Sequence, residues 1–345
     1  MTLRQKVGQL LVVGFRGLDA GPRSPILRDI RAGIVGGVVL FDRDLARESD
    51  RRNIRSPRQV RTLVASLQEA AAVPLLVAVD QEGGAVARLK KEHGFPEIPA
   101  ARRLGEADDP ERTRRHAAAT AAALAAAGFN LNLAPVVDLD VNPDNPIIGR
   151  LGRAYSSDPA AVVRHARAVI EAHREHEISC CLKHFPGHGS SRGDSHLGFT
   201  NVSDTWDPLE LEPFSALIAC GLADVVMSAH VFNRHLDPEF PATLSEATIG
   251  GLLRDRLGFR GVVVTDDLDM KAVSDTYLRE RALELALNAG NDILLIANNM
   301  TYDPRVPSRA VDAILGLVAS GRVARSRIDE SWRRVLELKG KRTSA

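Results

Sequence analysis

One stretch of the chain concentrates side chains that could do chemistry. It contains Lys183, His184, His188, Asp194 and His196, which makes three histidines, one lysine and one aspartate within fourteen residues. Glycines flank the middle histidine, and a Ser-Ser-Arg-Gly segment follows it. Because glycine lacks a Cβ, such a loop can bend sharply or move. This density of ionisable groups exceeds what a connection needs, and it predicts a catalytic or binding loop.

More ionisable residues follow other apolar runs. Five runs end in such groups, and these are Asp80, Asp138, Lys183-His184, His230 and Asp266-Asp267. If the runs are strands of a parallel barrel, their carboxyl ends meet on one face, where the active sites of barrel enzymes lie. The pattern therefore predicts a single site assembled from five strands.

Two chemistries could use these residues. The first is metal-assisted hydrolysis, with four plausible ligands: His184, His188, His196 and Asp266. The second is nucleophilic and acid–base catalysis by Asp266 and a histidine, on a bond held by Asp80, Arg88 and Lys183. Cationic groups beside paired carboxylates suit a polyhydroxylated substrate. Residue spacing alone leaves both chemistries open.

The elements that must position these groups are short apolar runs alternating with amphipathic segments. The predicted strands are residues 10–15, 36–41, 75–80, 130–138, 178–184, 225–230, 261–266 and 292–297. The predicted helices between them include residues 57–72, 116–127, 164–176 and 279–289. Continuous apolar runs are typical of strands covered on both faces, and eight of them favour an α/β fold with a single (β/α)8 TIM-type barrel. We expect one catalytic domain over 1–345, with a C-terminal helix or helices after about residue 300.

Composition narrows the function further. The 345 residues are 44% hydrophobic and 26% charged, with a net charge of +1, so no basic field attracts nucleic acid or an anionic membrane. Three cysteines, two of them adjacent, make no disulfide framework. The apolar run at 7–15 is interrupted by glycines and a glutamine, lacks a cleavage site, and no run reaches membrane-spanning length. A cytoplasmic location is expected.

Several motifs resemble those of the family 3 glycoside hydrolases. They are K-H-F-P-G-H-G at 183–189 with D-S-H at 194–196, V-D-Q-E-G-G at 79–84, N-L-A-P-V-V-D at 132–138, N-P-I-I-G at 145–149, and T-D-D-L-x-M at 265–270. The first of these, at 183–196, resembles more narrowly the bacterial β-N-acetylglucosaminidases of peptidoglycan recycling. The matching segments extend from about residue 10 to about residue 297.

The resemblance implies roles for individual residues. Asp266 corresponds to the catalytic nucleophile, His196 to the general acid/base, and Asp194 to the residue that orients His196. The substrate-binding residues are expected to be Asp80, Arg88, Arg153, Lys183 and His184. Two positions stay open: Arg150 competes with Arg153 because the local sequence is longer than usual, and Asp267 competes with Asp266. His188 is expected to hold the loop backbone, with His230 and Asp138 as supporting residues.

The implied activity is retaining hydrolysis of terminal β-linked N-acetylglucosamine, from muropeptides or other cell-wall fragments. The second α/β domain found in many family 3 β-glucosidases does not fit into the seventy-nine residues after Asp266, so the acid must come from the barrel. A histidine suits that role because its pKa lies near neutrality, and it avoids a second anion beside the nucleophile. We expect a carbohydrate substrate, no cofactor, no nucleic-acid or membrane partner, and a monomer. The alternatives are a β-glucosidase or another family 3 glycosidase or phosphorylase, a metal-dependent barrel hydrolase, and a non-catalytic sugar-binding protein.

Overall fold

The computed structural model describes residues 1–195 and 197–340. Within that part of the chain, eight strands form one parallel sheet. They are β1 (Leu11–Gly14), β2 (Gly37–Val39), β3 (Leu76–Val79), β4 (Leu131–Asn132), β5 (Ser179–Phe185), β6 (Val225–Ser228), β7 (Val262–Thr265) and β8 (Leu294–Ile296). From β1 to β7 each strand pairs with the next along the chain, and β8 pairs with β1.

The sheet closes between β7 and β8. A parallel bridge joins Val264 to Ile293, and the N–H of Thr265 donates to the Ile293 carbonyl at 3.0 Å. Beyond the strand, the N–H of Leu268 donates to Leu295 O at 3.0 Å. These contacts complete the predicted α/β barrel.

Helices surround the barrel and cover its outer face. They are α1 (Leu3–Gln9), α2 (Pro25–Arg31), α3 (Pro57–Glu69), α4 (Ala101–Ala107), α5 (Pro110–Ala127), α6 (Pro159–Arg174), α7 (Glu212–Ala219), α8 (Lys271–Ser274), α9 (Arg279–Ala289), α10 (Val306–Ala319) and α11 (Arg325–Gly340), with a π-helix at Ala247–Arg256. Because the helices cover the strands on one face and packed side chains fill the barrel on the other, the strands are buried throughout and their sequences are continuously apolar.

Two helices begin earlier than the sequence pattern predicts. The prediction placed the start of α5 at residue 116 and that of α6 at residue 164, whereas the helices begin at Pro110 and Pro159. In each, an aspartate caps the helix, since Asp109 accepts from Arg112 N and Asp158 accepts from the N–H groups of the first turn. Proline fits the first helical position because its missing N–H has no partner there in any case.

The fourth strand is much shorter than the predicted 130–138. The strand ends at Asn132. Leu133 N still donates to Val79 O, and Ala134 O accepts from Cys181 N, but Pro135 has no N–H with which to continue the ladder. The chain nevertheless remains beside β5, with a parallel bridge between Val136 and Lys183. This bridge brings Asp138 next to the loop that follows β5.

A buried ion cluster braces the seam of the barrel. Asp292, just before β8, is fully buried and accepts the N–H of Val263 in β7 at 3.0 Å. Three arginines surround its carboxylate, at 2.6, 2.6 and 3.0 Å: Arg254 from the π-helix, and Arg327 and Arg334 from α11. Helices outside the barrel are thereby tied to the closing strands.

No helix in residues 1–195 and 197–340 is long and apolar enough to cross a membrane.

Candidate active site

A buried network of two cations and two carboxylates lies at the ends of β3 and β5. Lys183 Nζ is 2.9 Å from Asp80 Oδ1 and 2.7 Å from Glu82 Oε1, and its side chain is 3% exposed. Arg153 forks onto the same glutamate, with Nε 2.7 Å from Oε2 and Nη2 2.8 Å from Oε1. Paired, charge-assisted hydrogen bonds of this kind hold all four side chains in fixed positions.

The charges in this network stabilise one another. Burial alone would raise the pKa of Glu82, but the charges of Arg153 and Lys183 hold it well below its ordinary value. The pKa of Asp80 is likewise lowered, against the effect of burial, by Lys183 and Arg88. The pKa of Lys183 is raised because its two carboxylate partners outweigh the cost of burial. These groups therefore stay charged at neutral pH and act by electrostatics and hydrogen bonding, not by proton transfer.

Asp80 and Arg88 form the exposed side of the network. Arg88 Nη2 is 3.6 Å from Asp80 Oδ2, and the two side chains are 30% and 16% exposed. Arg88 also lies over the ring of Phe41, 5.7 Å from its centroid, and 3.9 Å from Asp42. A carboxylate beside a guanidinium presents acceptors and donors together, which suits vicinal hydroxyl groups.

Both ring nitrogens of His184 have protein partners. Nδ1 is 2.7 Å from Asp138 Oδ2, and Nε2 is 3.3 Å from Arg153 Nη2. Because a guanidinium can only donate, Nε2 accepts, and the ring proton lies on Nδ1, where it donates to Asp138. A metal bound at His184 would have to displace one of these contacts. Among the described residues, no group of three or more His, Cys, Asp and Glu side chains is close enough to hold a metal ion.

The two acids after β7 have different surroundings. Asp266 N donates to Ser228 O at 3.1 Å, and Asp266 Oδ1 accepts the N–H of Asp267 at 2.8 Å. Asp267 Oδ1 accepts the N–H groups of Asp269 and Ala297, and burial and the nearby carboxylates raise its pKa. Asp267 thus joins the end of β7 to the end of β8. The geometry favours Asp266 as the carboxylate that serves the site.

His230 supports the same segment. Its Nε2 donates to the carbonyl of Asp267 at 2.9 Å, and its Nδ1 is 3.0 Å from Thr243 Oγ1. The histidine thus holds the backbone directly after Asp266.

Strand ends from both halves of the barrel face one interior region. Asp266 N donates to Ser228 O at the end of β6, and Ser228 is in register with Phe185 at the end of β5. Lys183 in β5 in turn contacts Asp80 after β3. Because the eight strands are parallel, these strand-end residues lie at the same edge of the barrel.

Hydrogen bonds hold the end of β5 and the first part of the loop after it, residues 184–189, which we call the root of the loop. Asp138 Oδ1 accepts the N–H groups of His184 and His188 at 3.1 and 2.8 Å. Asn145 Nδ2 donates to the carbonyls of His188 and Gly189 at 2.7 and 3.1 Å. Glu210, just before α7, accepts the Gly189 N–H at 2.9 Å.

The other side of this root contacts Trp206, whose Nε1 donates to the Pro186 carbonyl at 3.0 Å. The root therefore has hydrogen-bond partners on several elements.

Arg150 and Arg153 were both candidates for one sugar-binding position. Arg153 belongs to the buried network with Glu82 and Lys183, and Arg150 does not. The Arg150 side chain is 66% exposed and lies 3.7 Å from Asp144. Arg153 also donates to the Ile147 carbonyl at 2.9 Å, so the N-P-I-I-G segment positions it directly.

The predicted acid/base, His196, lies outside the described residues. The carbonyl of Asp194, its predicted partner, accepts the N–H of Leu197 at 3.0 Å.

Two carboxyl groups at the site did not emerge as candidates from the sequence. Glu82 was visible only as part of the V-D-Q-E-G-G motif, although it joins Lys183 to Arg153. Glu210 had no signal, because an acid just before a helix usually serves the helix end. In the structure it is fully buried, and burial raises the pKa of its carboxyl to about 7.

The fold and site define a barrel enzyme of one known class. The glycosyl hydrolase family 3 N terminal domain matches residues 2–338. The chain belongs to this family, as its motifs predicted.

Individual relatives agree with the family match. The chain is 40% identical over 293 residues to a β-hexosaminidase of Tolumonas auensis, covering 82% of this chain and 80% of that one. It is 35% identical over 354 residues to a β-hexosaminidase of Stenotrophomonas maltophilia strain K279a, covering 96% and 99%. The chain is thus similar to two proteins named β-hexosaminidase along 80% and 99% of their lengths.

Solved structures show the same barrel. A family 3 β-N-acetylglucosaminidase from Paenibacillus sp. str. FPU-7 superposes with a TM-score of 0.90 at 39% identity, over 99% of this chain and 63% of that one. A β-N-acetylhexosaminidase from Beutenbergia cavernae superposes with a TM-score of 0.88 at 34% identity, over 99% of both chains. The chain therefore spans less than two thirds of the Paenibacillus protein and nearly all of the Beutenbergia protein.

Proposed function

We propose that the chain is a retaining β-N-acetylhexosaminidase that removes terminal β-linked N-acetylglucosamine. One observation carries the proposal. Asp266 at the end of β7 and the buried network at the ends of β3 and β5 lie at the same edge of one parallel barrel, in a chain 40% identical to a β-hexosaminidase. A strand-end carboxylate beside a fixed polar network is what a sugar-cleaving site requires.

In the first step Asp266 acts as the nucleophile. One carboxylate oxygen bonds to the anomeric carbon while the glycosidic C–O bond breaks, and His196 gives its proton to the departing oxygen. The hydrogen bonds from Asp266 N to Ser228 and from Asp267 N to Asp266 Oδ1 hold the carboxylate in place before substrate arrives. This preorganisation favours attack along a defined direction.

In the second step water releases the sugar. His196, now neutral, accepts a proton from water, and the resulting hydroxide equivalent attacks the anomeric carbon and frees Asp266. An unperturbed histidine has a pKa of about 6.5, so both forms are accessible at neutral pH. Asp194, two residues earlier, orients the imidazole and stabilises its cationic form.

The sugar is held by the network on the side of β3 and β5. Asp80 and Arg88 are its more exposed members and accept and donate hydrogen bonds to hydroxyl groups. Lys183 has three N–H donors, of which two serve Asp80 and Glu82, so the third is available to a hydroxyl. Arg153 and His184 complete the set, and they also fix one another.

We propose muropeptides or other cell-wall fragments as substrates and the cytoplasm as the location. Cys180, Cys181 and Cys220, all in the described part of the chain, form no disulfide, and Cys220 is exposed. An exposed free thiol is typical of a reducing compartment.

Trapping the intermediate tests the proposal. A 5-fluoro N-acetylglucosaminyl fluoride should label the enzyme covalently, and tandem mass spectrometry should assign the label to Asp266. Asp266→Asn should lose several orders of magnitude in turnover because the covalent step disappears. Label on Asp267, or full turnover without label, would overturn the nucleophile assignment.

A substrate panel tests the sugar preference. The aryl β-N-acetylglucosaminide should be cleaved faster than the matching β-glucoside and β-xyloside. If the glucoside is faster, the chain is a family 3 enzyme of another specificity.

Loss of His196 tests the acid/base. His196→Ala should slow a natural disaccharide roughly 10²–10⁴-fold, the range typical of general acid catalysis. An activated nitrophenyl leaving group needs little protonation, so its release should be less affected and a pre-steady-state burst should appear. Azide should partly restore the second step because it needs no base. Equal losses on both substrates, without a burst, would instead make His196 a binding residue.

A further inference from the structure

Ser195 is buried beside exposed residues of the same loop. The serine is 2% exposed, whereas Leu197 and Phe199 are 73% and 61% exposed and Arg192 is also exposed. In the chain it stands directly between Asp194 and His196. A buried residue at this point needs partners that hold it there.

Two contacts hold Ser195 from opposite sides. Its Oγ is 3.3 Å from Nε2 of His188, at the root of the same loop. Its carbonyl accepts the N–H of Ala272 at 3.2 Å. Ala272 belongs to α8, which follows β7 and Asp266. Ser195 therefore connects the loop after β5 to the side of the site that carries the nucleophile.

His188 is itself fixed. It is 1% exposed, its N–H is held by Asp138 at 2.8 Å, and its carbonyl is held by Asn145 at 2.7 Å. Its ring packs edge-on against His184, with centroids 5.9 Å apart. Burial lowers the pKa of His188 to about 4, so the ring is neutral at working pH.

The ring of His188 makes its hydrogen bond through Nε2. Its buried Nδ1 has no hydrogen-bond partner in the described part of the chain. Since a hydroxyl both donates and accepts, the contact with Ser195 can form in either ring tautomer.

We propose that His188 and Ser195 form a latch that holds the loop at Asp194 and Ser195 against the nucleophile's side of the site. The inference rests on the proposed function, because it assigns the latch to the acid/base pair. Adjacent Cα atoms are about 3.8 Å apart, so fixing Ser195 confines the backbone of Asp194. His188 is a positioning residue that acts through Ser195 and touches no reacting atom. Holding a catalytic group close to its reacting geometry is a large part of what an active site contributes.

Limited proteolysis tests the latch without reference to catalysis. His188→Asn shortens the side chain so that it no longer reaches Ser195, and Ser195→Ala removes the hydroxyl. In both variants trypsin should cleave after Arg192 roughly 3- to 10-fold faster than in the wild type, the factor expected for one lost hydrogen bond. The peptide ending at Arg192 is quantified by mass spectrometry, at a temperature where all variants are folded.

A second buried histidine–hydroxyl pair provides the control. Thr113 Oγ1 is 2.7 Å from His165 Nδ1, between α5 and α6, and both side chains are buried. Thr113→Val removes a comparable hydrogen bond away from the loop, so cleavage after Arg192 should not change. Equal cleavage in the wild type and the latch variants would overturn the proposal.

Kinetics then link the latch to the acid/base. His188→Asn and Ser195→Ala should lower kcat on a disaccharide roughly 3- to 10-fold and change the nitrophenyl substrate little. The double variant should lose no more than either single variant, since both break one contact. His188→Gln, which extends its amide towards the position of Nε2, should recover much of the loss.

His196→Ala, assayed on the same two substrates, distinguishes failure of the latch proposal from failure of the acid/base assignment. If it shows the leaving-group effect and the latch variants do not, the proposed mechanism stands and the latch is wrong. If it shows no such effect while cleavage after Arg192 still accelerates in the latch variants, the latch holds the loop and the acid/base assignment is wrong.

Discussion

The buried carboxyl groups around the site fall into two electrostatic classes. The pKa values of Asp80, Glu82 and Asp138 are lowered, because cationic or histidine partners outweigh the effect of burial. Those of Asp267 and Glu210 are raised, mainly by burial, because the hydrogen bonds that they accept from backbone N–H groups offset burial only in part. The first class supplies permanent charge, whereas the second titrates near neutral pH and couples the structure to pH.

Glu210 should therefore make stability depend on pH. Its pKa is raised from 4.5 to about 7 in the folded chain, so the folded state holds the proton more tightly than the unfolded state. The resulting contribution is complete below about pH 4.5 and is lost as pH rises through about 7. Glu210→Gln does not titrate. Its free energy of unfolding relative to wild type should increase between pH 4.5 and 8, by up to about 3 kcal/mol.

Urea unfolding at several pH values measures this difference. Glu97→Gln is the control, because Glu97 is 72% exposed and pairs only at the surface with Lys91. Its difference from wild type should stay nearly constant with pH. A constant difference for Glu210→Gln as well would show that the carboxyl is not protonated in the folded state.

At the scale of single residues, the sequence indicated which charged groups belong to the site but not which of them pair with each other. Lys183, Arg153 and Asp80 stand in motifs that indicated sugar binding. Glu82 pairs with Arg153 across 71 positions of sequence, and that pairing depends on burial that residue types do not reveal. Glu210 lies 21 positions after Gly189 and had no signal at all.

Among the elements, the loop after β5 differs from what its glycines suggested. Their spacing indicated a loop that bends sharply or moves, and Gly187 does adopt a φ of +118°. Gly189 has another role, since a Cβ placed there would lie 1.9 Å from the carbonyl oxygen of Leu139. This glycine lets two backbones approach each other and so helps to hold the root of the loop.

Gly189→Ala should accordingly disrupt the site. The added methyl group must push the loop away from the Leu139 segment, at a cost of about 1–3 kcal/mol for overpacking. The free energy of unfolding and kcat should both fall. Gly251→Ala is the control, because a Cβ there meets nothing within 4 Å.

Unchanged kcat in Gly189→Ala would mean that the root can shift without moving the catalytic groups.

The distinction between close approach and flexibility could not be made from sequence, because the Leu139 carbonyl is 50 positions away. The strands were easier to predict, since their continuous apolar runs follow directly from burial on both faces. Only β4 was clearly misjudged, because Pro135 ends its ladder.

On the scale of the whole molecule, eight apolar runs were enough to indicate a barrel, but the way the barrel closes was not visible. Closure involves Asp292 and three arginines that lie 35 to 42 positions away from it in sequence: Arg254, Arg327 and Arg334. A buried carboxylate that serves three cations should be hard to replace. Asp292→Ala should lower the free energy of unfolding by about 3–5 kcal/mol, because the arginines lose their buried counter-ion.

Denaturant unfolding measures this effect. Asp312→Asn is the matched control, since its pair with Arg4 has side chains 63% and 45% exposed, and its effect should lie within about 0.5 kcal/mol. A similarly small effect for Asp292→Ala would mean that the seam is held by strand pairing alone.

The contact between Trp206 and the Pro186 carbonyl gives the molecule an optical reporter. The chain has only two tryptophans, and the other, Trp332, lies on α11 beneath Lys6 Nζ, 4.4 Å from its ring centroid. Replacing Trp332 with phenylalanine would leave one indole, hydrogen-bonded to the backbone between His184 and His188. Indole emission depends on the polarity and hydrogen bonding around the ring. Fluorescence of that variant would therefore report, without any added label, when a bound sugar disturbs the root of the loop.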